Sequence, residues 1–263
     1  MKNQKRSTLG FYGFLFVFFL FSGYACQSPG TADKSSDQQD QEWISLLNGK
    51  DLKDWNIKIR GYELNENFGN TFRVEDGILK ASYDEYDTFD DRFGHIFYKD
   101  TFSHYKLRVE YRFKGEQVKG GAEWAYRNNG VMFHAQSPES MEKDQSFPVS
   151  IEAQMLGGDD TGERPTGNVC TPETYIEMNG QRIDHHCIES DSKTYRGDQW
   201  VTMELVVFGD SLVHHIVEGD TVLSYSNLRK DKNDQTLSEG YIALQAESHP
   251  TEFRKIEILE LPD

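Results

Sequence analysis

The chain has 263 residues, with 44 acidic against 28 basic side chains and a net charge of −16. So negative a surface repels phosphate backbones, and the basic residues are scattered singly among acids, which excludes nucleic acid as a partner. The length suits one large β-sandwich or two small domains.

Lys2, Lys5 and Arg6 lead into an almost unbroken apolar run from Leu9 to Phe21, followed by the small residues Ser22, Gly23 and Ala25. This is the pattern of a secretory signal over residues 1–25. The run falls short of the ~20 residues a membrane-spanning helix needs, so a retained anchor is the alternative. Cleavage before Cys26 would make that cysteine the first mature residue, the arrangement of a lipidated bacterial protein, although Gly23 stands where Leu is usual. Residues 27–42 (QSPGTADKSSDQQDQE) have no aliphatic side chain larger than Ala and predict a disordered tether. Residues 1–25 carry three basic and no acidic side chains, so the mature chain would hold 25 basic against 44 acidic residues, a charge near −19. The expectation is an exported cell-envelope lipoprotein of a Gram-negative bacterium. It would face the periplasm or the cell surface and touch the membrane only through the lipid on Cys26.

From residue 43 to 263 the pattern is of short alternating strands separated by turn residues. Phe72-Arg73-Val74, Asp76-Gly77 and Ile78-Leu79 together signal a hairpin. Tyr105, Leu107, Val109, Tyr111 and Phe113 alternate with Lys106, Arg108, Glu110 and Arg112, a half-buried strand. Further strands are predicted at 93–98, 130–135, 149–155, 199–208, 211–218, 221–225, 240–247 and 252–260. There is no long amphipathic helix and no βαβ alternation, which excludes a nucleotide-binding doubly wound fold. Many short strands with regular turns predict an all-β sandwich or barrel. The segment from Gly157 to Asp198 reads as a long irregular loop with both mature cysteines in it. With Cys26 lipidated, Cys170 and Cys187 remain as a pair in an oxidising compartment, and a bridge closing that loop would stabilise by about 3 kcal/mol. Two independent buried thiols are the alternative.

Strand parity supplies the candidate site. Ile151, Ala153 and Met155 share one face of their strand, and Glu152 and Gln154 point the other way. Ile242, Leu244 and Ala246 pack while Gln245 and Glu247 point away; Val131 and Phe133 pack while His134 turns outward with Met132. Three strands therefore each present polar residues opposite their core face. An ordinary solvated outer face would do the same, but Gln, Glu and His are not the Thr, Lys and Arg such faces favour. A groove in a curved sheet, of the kind that holds carbohydrate, is expected. His185-His186 and His214-His215 are adjacent pairs that can offer one ligand each, and neither HExxH nor CxxC occurs. Gly157-Gly158-Asp159-Asp160 reads as an exposed acidic turn, with calcium ligation as the alternative. No GxSxG serine elbow is present.

Several motifs resemble one family in the right order. Ser45-Leu46-Leu47-Asn48-Gly49-Lys50-Asp51-Leu52-Lys53-Asp54-Trp55 resembles the LFNGKDLxGW opening of the 3-keto-disaccharide hydrolase domain. Asn128-Asn129-Gly130-Val131-Met132-Phe133 is similar to its NSGIFL strand, and Ile151-Glu152-Ala153-Gln154-Met155 to its YEVQI strand. Gly240 to Gln245 with Phe253-Arg254-Lys255-Ile256 resembles its close. The chain departs from the family in carrying Ala246-Glu247-Ser248-His249 where Asp-His-Gly is frequent, and His134 where Arg is frequent. The resemblance implies a concanavalin-like jelly roll of two antiparallel sheets with a concave sugar-binding face, acting on 3-keto-glycosides. A C3 ketone acidifies the C2 hydrogen, so a base can expel the C1 substituent by elimination, and water then adds. On this basis Glu152 or Glu247 is expected as the base and His134 as acid or electrophile. Gln154, Gln245, Arg127 and His249 are expected to bind hydroxyls, and Trp124 or Tyr126 to stack on a sugar face. A divalent metal ion, with ligands unassigned, is a cofactor the resemblance allows. A conventional glycoside hydrolase and a non-catalytic carbohydrate-binding lipoprotein are the alternatives, and the oligomeric state is left open.

Overall fold

Alternation of apolar and polar side chains is what builds this protein, and the computed structural model, which describes residues 42–262, places that alternation on two antiparallel sheets. The expected signal segment, Cys26 and the tether up to residue 41 lie outside the described residues. In chain order the strands are β1 (Ile44–Ser45), β2 (Trp55–Ile59), β3 (Phe72–Glu75), β4 (Ile78–Ala81), β5 (Gly94–Phe102), β6 (His104–Phe113), β7 (Asn128–Ala135) and β8 (Ile151–Leu156). There follow β9 (Asn168–Cys170), β10 (Thr174–Met178), β11 (Gln181–Ile183), β12 (Cys187–Ile188), β13 (Val201–Phe208), β14 (Leu212–Val217), β15 (Asp220–Lys230), β16 (Gly240–Ala246) and β17 (Thr251–Glu260).

The larger sheet runs β11-β10-β15-β14-β13-β6-β17-β4-β3, with β1 added beside β17; the smaller runs β12-β9-β8-β7-β16-β5-β2. One face of each sheet closes the core. Tyr105, Leu107, Val109 and Tyr111 of β6 meet Ile96, Val131, Phe133, Ile151, Ala153 and Leu244 of the smaller sheet, all essentially buried. Each such side chain removes enough apolar area from water to stabilise by about 1.5–3 kcal/mol. The hairpin of β3 and β4 turns through Asp76 and Gly77, both with positive φ (53° and 78°), the geometry that favours an Asp-Gly pair.

Two features depart from the sequence expectation. The segment 157–198 is not one irregular loop: it contains β9 to β12, short strands that extend both sheets at their edges. These strands are three, five, three and two residues long, too short to show a period. The outer face of the smaller sheet is also only partly open. Phe97, Met132, Ala135 and Ala243 on that face form a second apolar cluster, covered by Met141 from the β7–β8 connection. The polar half beside it is where the site lies.

Candidate active site

Registers across the smaller sheet bring the polar residues together. His95 pairs with Lys58 on one side and Gln245 on the other. Gly130 pairs with Gln154, Gln154 with Asn168, and Glu152 with Cys170. Gly130 is the gap in this surface: a Cβ there would stand 2.5 Å from Glu152 Oε1 and 2.8 Å from Gln245 Oε1. The missing side chain is what lets Glu152 and Gln245 lie down over the strand. Glu247 follows one residue after β16 and is fixed by its neighbour. Ser248 has φ 92°, strained for a non-glycine residue, and its N–H donates to the Tyr83 hydroxyl at 2.9 Å.

Above this floor is a cavity of about 290 Å³ lined by Asn128, Glu152, Gln154 and Glu247, with Trp124 and Phe147 on one side and Pro172, His186 and the Cys170–Cys187 disulfide on the other. The disulfide joins facing residues of β9 and β12, with Cα atoms 4.1 Å apart, as the pairing of the two mature cysteines led one to expect. It makes the cavity wall beside Glu152. The Trp124 ring stacks on Phe93, with centroids 5.9 Å apart and planes within 15°.

The two acids are buried, at 6 % and 2 % exposure. Burial raises the Glu152 carboxyl well above the usual carboxylate range, and the neighbouring Glu247 charge raises it further. Burial pushes Glu247 up to about 8, opposed by the Arg164 guanidinium. Two carboxyls so placed cannot both ionise near neutrality. Burial favours the protonated form of both, and Glu247 is the one eased toward ionisation, because the Arg164 guanidinium favours charge on it. Gln245 is close enough to soften the shift at Glu152, yet neither its amide nitrogen nor its oxygen makes a well-formed hydrogen bond. Asn128 Oδ1, Glu247 Oε2 and both nitrogens of His95 are likewise buried without a protein partner. Buried polar atoms of native proteins are almost always bonded to protein, water or ligand, so a cluster of orphans around one cavity marks a place made for something polar.

Of the residues expected at the site, Glu152, Gln154, Glu247 and Trp124 line this cavity. Gln245 lies behind it, fully buried against Gly130. Tyr126 lines the adjoining cavity instead. Three expected residues are elsewhere. His134 sits on a β-bulge: between Met132 and Ala135 three steps of β7 face two of β16, and His134 takes φ 46°. The extra residue reverses parity, so His134 points into the sandwich, donates from Nε2 to the Gly209 carbonyl at 3.1 Å and packs edge-on against Tyr105. Arg127 ties down a loop through the Gly197 carbonyl and Asp198. His249 is buried edge-on between Phe113 and Tyr126, neutral with its pKa pushed down to about 4 by burial. His95, Asn128 and Gly130 were missed. Parity alone marks His95 and Asn128 as outward-facing, but the neighbouring strands had to be known to see what they face.

Among the described residues no three His, Cys, Asp or Glu side chains converge as a metal cage. Glu152 and Glu247 are only two carboxyls, so the described residues provide no cage of three such side chains for the divalent ion that the resemblance allows. Asp159 in the acidic turn is occupied by the Thr161 N–H and hydroxyl, at 2.7 and 3.0 Å.

Fold and site together define a class: a concanavalin-like jelly roll with an acid-lined pocket on the outer face of its smaller sheet. Within that class the chain belongs to the family of 3-keto-alpha-glucoside-1,2-lyase-like domains, which it matches over residues 42–259, and its function is carbohydrate-related. No curated protein sequence matches it. Two solved structures from Parabacteroides distasonis, each described as a "putative glycosyl hydrolase", share the fold. One is 18 % identical with TM-score 0.51, covering 84 % of this chain and all of that one; the other is 16 % identical with TM-score 0.51, covering 84 % and 94 %.

Proposed function

We propose that this protein cleaves 3-keto-glycosides by elimination, with Glu247 as the base at C2 and Glu152 as the acid at the departing oxygen. As Glu247 removes the C2 proton, the C–H electron pair becomes the C1=C2 double bond. The C1–O bond breaks with its electrons on the aglycone oxygen, which takes the Glu152 proton. The sugar is left as an enone, Glu247 protonated and Glu152 ionised. Hydration runs the same exchange backwards: Glu152 takes a proton from water as its oxygen bonds to C1, and Glu247 returns a proton to C2. The outcome is net hydrolysis with both acids reset.

The observation that carries this reading is the pair of buried carboxyls, Glu152 and Glu247, on the wall of a cavity that Asn128, Gln154 and the Trp124 and Phe147 rings also line. A base that ionises near pH 8 beside an acid that stays protonated is matched to a reaction needing both at once. The unpartnered Asn128 oxygen supports hydroxyl binding. Glu247→Gln and Glu152→Gln, assayed on a 3-keto-glucoside, are each expected to lose on the order of 100-fold or more in turnover. Full turnover in both variants would overturn the assignment. Release of sugar from unoxidised glycosides would favour a conventional hydrolase, and binding without any turnover a lectin-like role.

The proposed setting is the cell envelope, with a lipid on Cys26. The disulfide supports an oxidising compartment. Mass spectrometry of the mature N-terminal peptide tests this, and an unmodified Cys26 would count against it.

A further inference from the structure

Among the described residues, Trp124 is one of two large apolar side chains left strongly exposed, at 54 %. Its ring is stacked on Phe93, and its carbonyl accepts from Arg164 Nη2 at 3.1 Å. The same guanidinium donates from Nη1 to the carbonyls of Gly157 (2.8 Å), Arg127 (3.3 Å) and Tyr126. Arg164 is thus a clamp that holds the Trp124 turn against the 157–165 segment. A rigid aromatic surface facing water is a costly feature unless something flat and amphipathic comes to cover it.

Trp124 lines two cavities. One is the acid-lined cavity described above. The other is larger and more open, about 560 Å³, within the range of small-molecule sites, and is walled by Trp124, Tyr126, Glu123, Asp159, Glu163 and Arg164. We propose that this second cavity seats the leaving group of the reaction, and that it takes an uncharged sugar ring and rejects an anionic one. The inference rests on the elimination reading for the first cavity, since only that reading makes the neighbouring space a leaving-group site.

Two observations set the specificity. The aromatic pair Trp124 and Tyr126 offers apolar faces to the C–H side of a pyranose, while the carboxylates accept from its hydroxyls. The net charge of the wall is negative: it is lined by three carboxylates and one guanidinium whose N–H groups are spent on backbone carbonyls, and Arg196, 3.7 Å from Glu163, offsets only one of the carboxylates. Asp159 is held ionised by its two bonds from Thr161. A uronate or sulfated ring would bring like charge into that space.

The test compares three substrates with the same 3-keto-glucosyl group: a methyl glycoside, a disaccharide with glucose as the leaving sugar, and one with glucuronate. The wild type is expected to favour the glucose disaccharide by about 10-fold or more in kcat/KM over both others. Thr161→Trp, at an exposed position that lines this cavity and not the acid-lined one, would fill the cavity while its backbone N–H can still donate to Asp159. It is expected to bring the disaccharide down to the methyl glycoside's level and leave the latter within about two-fold. Glu163→Lys is expected to raise the glucuronate substrate relative to the glucose one. Equal wild-type rates for all three substrates, or a Thr161→Trp loss shared equally by methyl glycoside and disaccharide, would overturn the proposal. Should the wild type turn over none of them, the elimination reading fails instead. Calorimetric binding to Glu247→Gln then still decides the subsite: disaccharide binding weakened by Thr161→Trp supports it, and unchanged binding refutes it.

Discussion

Replacing Glu247 by Gln should make the protein inactive and, at alkaline pH, more stable. Glu247 is 2 % exposed and burial pushes its carboxyl up to about 8. An unfolded chain releases that proton near pH 4.5, so the folded state holds it more tightly than the unfolded state does. Stability is therefore complete below pH 4.5, falls as the pH rises toward 8, and is level above. At about 1.4 kcal/mol per pH unit, ionising Glu247 costs the folded protein about 2 kcal/mol at pH 6 and at most about 5 kcal/mol at pH 8.5. Glutamine has nearly the same shape and no proton to lose. Urea unfolding of both proteins at pH 6 and 8.5 should show the variant's advantage growing by about 3 kcal/mol between the two, with the slope on urea unchanged. An advantage that stays constant with pH would refute the claim that a buried carboxyl titrates at this site.

The acid side of the stability curve has a different origin. His95, with its pKa lowered to about 3, and His134, His215 and His249, lowered to about 4, are kept neutral by burial. Their folded pKa values lie below the ordinary 6.5, so stability is complete above 6.5 and falls with pH, by about 2 kcal/mol for each histidine at pH 5. Against a total of about 5–15 kcal/mol, unfolding monitored by fluorescence should set in near or below pH 5. Gly130→Ala would drive a methyl into Glu152 Oε1 and Gln245 Oε1, and is expected to cost on the order of 100-fold in kcat/KM through displacement of the acid, with a crystal structure to show it. His134→Asn should lower stability by about 1–3 kcal/mol, by losing the bond to Gly209 and leaving a gap, while kcat/KM of the folded protein stays within about two-fold.

How much of this was legible in the sequence depends on a single rule, that side chains alternate along a strand. It places Glu152, Gln154 and Gln245 on the outer face because β8 and β16 run regularly through those residues, and Glu247 follows one residue beyond the end of β16. It fails at His134 because a bulge adds one residue to β7, and nothing in Val131-Met132-Phe133-His134-Ala135 announces it; histidine merely tolerates the positive φ better than most. The pairing of Cys170 with Cys187 followed from their being the two mature cysteines left over. That their bridge forms a wall of the cavity beside Glu152 did not, since it depends on β9 and β12, strands of three and two residues. Arg127 and His249 lie beside the motifs but in connections between strands, where alternation gives no direction. Arg164, the clamp behind Trp124, carries no motif at all. Its role lies in the four carbonyls that meet it, three from residues 124–127 and one from Gly157.

The central claim is that the C2–H bond breaks on the way to cleavage, and isotopic labelling reads that bond. A 3-keto-glucoside deuterated at C2 should be cleaved more slowly than its protiated form, and product sampled early in ordinary water should carry hydrogen at C2. Early product that retains its deuterium, formed at an undiminished rate, would mean that the glycosidic bond is broken without deprotonation, and the roles given to Glu247 and Glu152 would be contradicted.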